Sequence, residues 1–322
     1  MNKIILALAL LVVVNAHFLQ QEEEKMFLFT KFINQHNRQY ETTQEFHDKF
    51  EIFKSNLEKV NNSESFSPFM DLTESEFKSR LNLDVASIAE QRSKMESYKL
   101  KKLYNEEDFP KNFDWRDHGA VSPVKNQGQC GSCWAFSTMA NIEGQHYLKT
   151  GEMVTLSEQQ LVDCDFNDSG CNGGWMDNAF QYLEEFGAVP DKKYKYTGKK
   201  GKCKSSKKED DNVVVVSYKD IGQNEEEIKK VLYENGPLSI ACNASPWQFY
   251  SGEIYRPSES ECNSYGINHG ITLVGYGEEN GVKFWTIKNS WGEGWGEKGY
   301  IRIERGIGAC GCNTAVSTAE TK

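Results

Sequence analysis

Between residues 127 and 134 the chain reads Gln-Gly-Gln-Cys-Gly-Ser-Cys-Trp, and Cys133 stands where this glycine-rich loop enters an apolar helical stretch. The N-terminus of a helix carries partial positive charge and unpaired N–H groups. Both favour a thiolate, so a cysteine placed there is acidified and nucleophilic. Such a thiolate works with an imidazolium partner. His17, His36 and His47 lie in the front of the chain, His118 precedes the loop and His146 comes late in the helix, whereas His269 opens the apolar run Ile271–Val274. A turn containing Asn280-Gly281 follows, then a strand from Val282 to Lys288 that ends at Asn289. If Gly277 pairs with Val282, His269 faces Ser290 and Gly270 faces Asn289, which puts imidazole and amide side by side. An asparagine amide can orient an imidazole, the third role beside nucleophile and base, and Trp291 could cover that hydrogen bond from water. Taken singly, a cysteine or a histidine is ordinarily structural. The combination points to chemistry.

These residues need elements to hold them. Residues 131–148 read as a helix that is apolar on most sides, with Ala135, Phe136, Met139, Ala140 and Ile142 and almost no charge before Glu143; such a helix is buried. Ser157-Glu158-Gln159-Gln160 has capping-box spacing and starts another helix. Strand patterns follow at Val213–Val216, Leu238–Cys242, Ile271–Tyr276, Lys283–Lys288 and Tyr300–Ile303. Helices first and strands later predict an α+β chain with two subdomains. Residues 17 to about 107 are a different block, charged and free of cysteine and glycine. There Phe29, Phe32, Ile33 and Tyr40, then Phe46, Phe50, Phe53, Leu57 and Val60, recur at helical spacing. Glu45 and Lys49 place opposite charges one turn apart. Residues 93–108 read as an exposed connector, open to proteolytic nicking.

The chain has 322 residues and a formal net charge of −10, which argues against a nucleic-acid binder. Lys3, the apolar run Ile4–Val14 and the small residues of Val14-Asn15-Ala16 form a secretory signal with cleavage after residue 16. The run is shorter than the roughly 20 residues that span a bilayer, so no membrane anchor is expected. All nine cysteines lie beyond residue 129. On the secretory route they imply disulfides confined to that region, and the odd number leaves at least one free thiol. Sequons at Asn61, Asn167 and Asn243 could carry glycans.

The sequence resembles the papain and cathepsin L-type family of cysteine proteases. The resemblance covers nearly the whole chain after the signal. It is most specific at Gln127–Trp134, Cys171-Asn172-Gly173-Gly174, Asn268-His269-Gly270 and Lys288-Asn289-Ser290-Trp291-Gly292. It implies a two-domain α+β fold, a helical left domain with a buried central helix and an antiparallel β right domain, with the active-site cleft between them. It further implies that Cys133 attacks the scissile carbonyl, His269 protonates the leaving amine, Asn289 orients His269, and the Gln127 side chain with the Cys133 N–H forms the oxyanion hole. Gly173 and Gly174 would pair with an extended substrate, and Gly131 and Trp291 would join the substrate face. Trp175, Met176, Ala241, Ile267, Gly270 and Ala315 would line S2, an apolar set, with Ala315 where arginine-accepting members carry an acid. Leucine, phenylalanine or similar is therefore expected at P2. The family pairing is Cys130–Cys171, Cys164–Cys203 and Cys262–Cys310, with Cys242 and Cys312 left as buried thiols or a further bridge. No cofactor or metal is implied.

The front block resembles the family's helical inhibitory propeptide. Glu45, Lys49, Ile52, Phe53, Asn56 and Val60 follow its helical motif, with Lys49 for arginine, Val60 for isoleucine and Glu64 where the last asparagine belongs. The second motif survives as Phe69 and Asp71, with Ser65 and Ser67 in place of its glycine and asparagine. The expected organisation is a signal peptide over residues 1–16, a propeptide over 17–107 that threads the cleft and is cut near 105–109, and a peptidase over 108–322. No insertion of the kind that makes cathepsin B a dipeptidase lies between Cys171 and Cys203, which implies an endopeptidase. The expected protein is a monomer that acts on proteins and peptides, in a lysosome-like vacuole or outside the cell. Rival readings are a C-x-x-C redox protein, a zinc site of Cys130, Cys133, Cys164 and Cys171, and a non-catalytic binding homologue of the same fold.

Overall fold

A computed structural model describes residues 2–60, 66–83, 109–205, 212–258, 260–262 and 266–322, with side chains from residue 19 onward. The chain forms two compact units that divide between Glu76 and Phe77. The expected boundary and cut near residues 105–109 fall on or beside residues outside those described, as do Glu64, Ser65 and the Asn61 sequon.

The N-terminal unit is built on two helices, α1 (Asn2–His36) and α2 (Thr43–Lys59). Among the described residues no helix is long and apolar enough to cross a membrane. Thr42 caps α2 by accepting from Glu45 N, and the Glu45 carboxylate turns back to Glu41 N at 2.7 Å. Lys49 accordingly pairs with Glu76 at 2.7 Å rather than with Glu45, because Glu45 already serves the helix start. Phe29, Phe32, Phe50 and Phe53 are buried together, each ring within about 6 Å of a neighbour. Asn56 is buried on the same helix and donates to Met70 O at 3.0 Å and Leu72 O at 2.8 Å, tying α2 to the turn after it. Asp71 in that turn accepts from Arg38 at 3.2 Å and from Tyr40 Oη at 3.0 Å. A short helix, α3 (Glu74–Lys78), follows.

In the C-terminal unit the helices are α4 (Cys133–Thr150), α5 (Glu158–Cys164), α6 (Met176–Phe186) and α7 (Glu225–Asn235). The strands are β1 (Phe113–Asp114), β2 (Val215–Ile221), β3 (Leu238–Cys242), β4 (Ile254–Tyr255), β5 (His269–Glu279), β6 (Val282–Lys288), β7 (Tyr300–Glu304) and β8 (Val316–Thr321). They form one sheet in the order β2-β8-β3-β5-β6-β7-β4, with β1 paired to β5. All pairings are antiparallel except β4 with β7. This is the expected mixed α+β architecture. Helix α4 is buried along most of its length, as its apolar composition requires. Ser157 caps α5 by accepting from Gln160 N at 3.1 Å, but the Gln160 side chain bonds Val189 N and Gly187 O instead of closing the box.

The β5–β6 register differs from the expected one. Gly277 pairs with Phe284, not Val282. Asn280 and Gly281 both take positive φ, 52° and 78°, so the turn closes in two residues between Glu279 and Val282. A bulge between Leu273 and Gly275 then shifts the alignment by one residue.

Four disulfides are present: Cys130–Cys171, Cys164–Cys203, Cys262–Cys310 and Cys242–Cys312. The last joins the two cysteines that stood outside the family pairing, and Cys133 is the free thiol.

Replacing Asn56 by alanine removes both of its donations, to Met70 O and Leu72 O, from a buried site, at a cost of about 2 kcal/mol. The α2 amides of full-length Asn56→Ala protein should exchange hydrogen about 30-fold faster than those of the parent. Unchanged exchange would refute that role for Asn56.

Candidate active site

Helix α4 carries Cys133 at its start, and β5 carries His269 at its start. Polar side chains on the buried face of α4 fix the approach. Ser137 Oγ donates to Ile271 O at 2.6 Å, Ser239 Oγ to Ser137 O at 3.0 Å, and Asn141 Nδ2 to Pro237 O at 2.7 Å. Asn141 Oδ1 also accepts from Ala319 N at 2.9 Å. Cys133 is the first residue of α4, and its sulfur lies within reach of the Gly270 N–H. His269 Nε2 lies 2.8 Å from Asn289 Oδ1, which also accepts from Ser290 N. An oxygen acceptor opposite Nε2 requires the proton there, so the neutral ring presents a bare Nδ1. That Nδ1 is buried and has no hydrogen-bond partner among the described residues. Trp291 packs against the imidazole, with ring centroids 4.7 Å apart.

The Gln127 loop is tied on both sides. Its backbone N–H donates to Ser290 O at 2.9 Å, and its carbonyl accepts from Tyr196 Oη at 2.8 Å. The side-chain oxygen accepts from Ser290 Oγ at 2.7 Å, and Nε2 donates to Cys130 O at 3.0 Å and to Arg80 O at 3.2 Å. The Arg80 carbonyl belongs to the segment Phe77–Leu83, which lies over the site. Arg80 Nη1 donates to Gly128 O at 2.7 Å, and Asn82 O accepts from Cys133 Sγ at 3.8 Å. Leu83 forms a parallel bridge with Gly174, and Phe77 stacks edge-on against Trp291. Glycine is needed here for close approach. A Cβ on Gly131 would stand 2.6 Å from Asn82 Cβ, and one on Gly173, whose φ is +120°, would stand 3.2 Å from Asn82 O.

The residues expected to line S2 come together in part through direct contacts. Ala241 pairs with Gly270 across β3 and β5, and its N–H donates to Ala315 O at 3.0 Å. Met176 Sδ lies 3.1 Å from where a Gly270 Cβ would be. Ile267 packs on the same apolar cluster, which also contains Leu83. Trp175 is buried in that cluster, with Nε1 donating to Asp177 at 2.9 Å.

Burial pushes the Cys133 thiol up to about 11, against the pull of the Gly270 and Trp134 N–H groups. Burial pushes His269 down to about 4, against the pull of Asn289. Thiol and imidazole are therefore both neutral near pH 7.

Sequence reasoning missed a buried charge cluster beneath the site. Lys125 Nζ donates to Glu143 Oε1 at 2.9 Å and Glu158 Oε1 at 2.6 Å; Ser122 donates to Glu143; and Lys288 Nζ donates to Ser122 Oγ at 2.8 Å. Burial pushes Lys288 down to about 8, with Glu143 opposing, and pushes Glu158 up to about 7, with Lys125 opposing. The only signal in the sequence was Glu143, an acid inside an otherwise apolar helix. The cluster supports Ser122, Leu156 and the strand end that leads into Asn289.

Comparison with known proteins agrees with this geometry. Residues 109–320 match the papain family cysteine proteases, and residues 29–77 match the cathepsin propeptide inhibitor domain. The chain is 42% identical over 319 residues to cysteine proteinase 15A of Pisum sativum, covering 90% of this chain and 85% of that protein. It is 39% identical over 317 residues to a cathepsin L-like proteinase of Phaedon cochleariae, covering 94% of each. The structure resembles digestive procathepsin L 3 of the Tenebrio molitor larval midgut, with a TM-score of 0.79 and 32% identity, over 92% of this chain and 99% of that one. The chain belongs to the papain family of cysteine proteases, as a proenzyme in which a cathepsin-type propeptide inhibitor domain precedes a cysteine endopeptidase domain.

Proposed function

We propose that Cys133 is the nucleophile of this endopeptidase, His269 its acid–base partner, Asn289 the orienter of His269, and Gln127 with the Cys133 N–H the oxyanion hole. The observation that carries the reading is that the Arg80 and Asn82 carbonyls lie against the Gln127 amide and the Cys133 sulfur. A peptide backbone thus already occupies the positions where a substrate carbonyl would react. In catalysis His269 Nδ1 takes the thiol proton, and the sulfur forms a bond to the scissile carbonyl carbon. The oxyanion accepts from Gln127 Nε2 and the Cys133 N–H. The C–N bond then breaks as His269 returns the proton to the leaving amine. Water, deprotonated by His269, hydrolyses the thioester and regenerates the thiol.

Substrate would pair with Gly173 and Gly174 and pass Gly131 and Trp291. The S2 residues Trp175, Met176, Ala241, Ile267, Gly270 and Ala315 carry no charge, which favours leucine or phenylalanine at P2. The signal over residues 1–16 and the four disulfides support passage along the secretory route to a vacuole or the exterior. Asn243 is buried with its amide oxygen bonded to Ser245 N, whereas Asn167 is exposed, so a glycan fits at Asn167 and not at Asn243.

The cover also responds to acid. Burial pushes His269 down to about 4, below the ordinary imidazole value of about 6.5, and a state that exposes the ring relieves that burial. The open state therefore binds the extra proton, and opening gains favour as pH falls from about 6.5 toward 4. In the intact precursor, alkylation of Cys133 by iodoacetamide should be slow at pH 7 and accelerate as pH is lowered through this window, even though free thiols slow down there. A rate that only falls with pH would show that proton uptake does not drive opening.

Acid-treated precursor should cleave a fluorogenic peptide with phenylalanine at P2, and its Cys133→Ser twin should not. No activity in either trimmed chain would favour a binding homologue. Gln127→Ala should lower kcat by about 10²–10³-fold, roughly 3 kcal/mol. Ala315→Glu should raise kcat/KM for arginine over leucine at P2 by about tenfold, ~1.4 kcal/mol; an unchanged ratio would remove Ala315 from the pocket.

A further inference from the structure

Behind the strand that would receive the substrate lie two buried acids that the mechanism does not use. Asp165 is 1% exposed and Asp168 7%. Asp168 Oδ1 accepts from Trp175 N at 3.0 Å and from Asn178 Nδ2 at 3.0 Å. Asp165 Oδ1 accepts from Asn167 N at 2.9 Å. The second oxygen of each, Asp165 Oδ2 and Asp168 Oδ2, is buried and has no donor among the described residues. The two carboxyl groups are within hydrogen-bonding reach of each other. Two adjacent carboxylates cannot both stay ionised in such a place, and one proton between them satisfies both orphaned oxygens.

The pair abuts the Gly173–Trp175 backbone directly. A Cβ on Gly174 would stand 2.7 Å from Asp168 Cγ, and Ser169 N donates to Gly173 O at 2.9 Å. On this same stretch Gly174 bridges to Leu83, so its pairing groups are those a substrate would use. We propose that Asp168 is a positioning residue for the substrate-pairing strand, held through a proton shared with Asp165, and that loss of this proton sets the alkaline limit of substrate binding. The proposal rests on the reading of Gly173–Gly174 as the substrate-pairing strand.

The surroundings support retention of the proton through neutral pH. Lys200, from the loop ahead of Cys203, is the cation acting on Asp165; α6 contributes Asn178 and the Tyr182 hydroxyl; α4 contributes the uncharged Trp134, whose Nε1 donates to Gly170 O. Burial, and then the Asp165 charge, push Asp168 up to about 8, and burial pushes Asp165 up to about 6. The sign follows: the pair keeps one proton at pH 7, and above about 8 two negative charges face each other and push Asp168 off the Trp175 N–H.

The test is the pH dependence of KM and kcat, measured separately on activated enzyme from pH 5 to 9.5. In Asp165→Asn the amide supplies a permanent donor to Asp168 Oδ2, so no shared proton remains to be lost. The parent KM should rise about tenfold between pH 7 and pH 9, whereas the ratio in Asp165→Asn should stay within about twofold. Asp168→Asn, which keeps the acceptor for Trp175 N and donates to Asp165, should flatten KM in the same way and serves if the first variant does not fold. The acid limb of kcat, which belongs to Cys133 and His269, should persist in both. A flat parent KM, or the same alkaline rise in parent and variants, overturns the proposal and leaves the protease reading standing. Absence of peptidase activity in the parent at every pH overturns that reading and this proposal with it.

Discussion

The candidate site depends on one constraint: Cys133 stands on a helix and His269 on a strand, so the helix must be fixed in rotation against the sheet. Apolar packing alone is non-directional and does not fix the rotation of a helix. Ser137 and Asn141 fix it here, because each bonds a strand backbone from the buried face of α4. Buried hydrogen bonds of this kind are costly to leave unmade, so alternative rotations of the helix are penalised. Cys133 then falls at the helix start, and the Gln127 loop is drawn against Ser290.

The same economy governs the inhibited state. The segment Phe77–Leu83 offers backbone carbonyls to the Gln127 amide and the Cys133 sulfur. It runs parallel to Gly174 at Leu83, and burial leaves thiol and imidazole neutral beneath it. Low dielectric alone is enough to hold a buried thiol and a buried imidazole in their neutral forms.

Much of this was legible in the sequence where local pattern carries the information. The motif around Cys133, the apolar helix behind it and the triplet around His269 all announce themselves within a few residues. The alignment of His269 with Asn289 was legible only in outline, because the two-residue Asn280-Gly281 turn and the bulge at Val274 both move the register. The cover could not be read at all from Arg80 and Asn82, since it acts through backbone carbonyls that every residue possesses. Nor could the Lys125–Glu143–Glu158–Lys288 cluster or the Asp165–Asp168 pair, whose members meet only through tertiary approach. The bridge from Cys242 to Cys312 is hidden for the same reason, as nothing local distinguishes a buried thiol from half of a bridge.

That bridge has a consequence for persistence. It closes a loop of 70 residues, and His269 and Asn289 both lie inside it. Cross-linking a loop of this size removes roughly 4 kcal/mol of chain entropy from the unfolded state. A peptidase lives among copies of itself, and any molecule that opens becomes food for its neighbours. In that setting the working lifetime follows the fraction of time spent open. The bridge therefore acts as a defence against autolysis, guarding the stretch of chain that carries the imidazole and its amide.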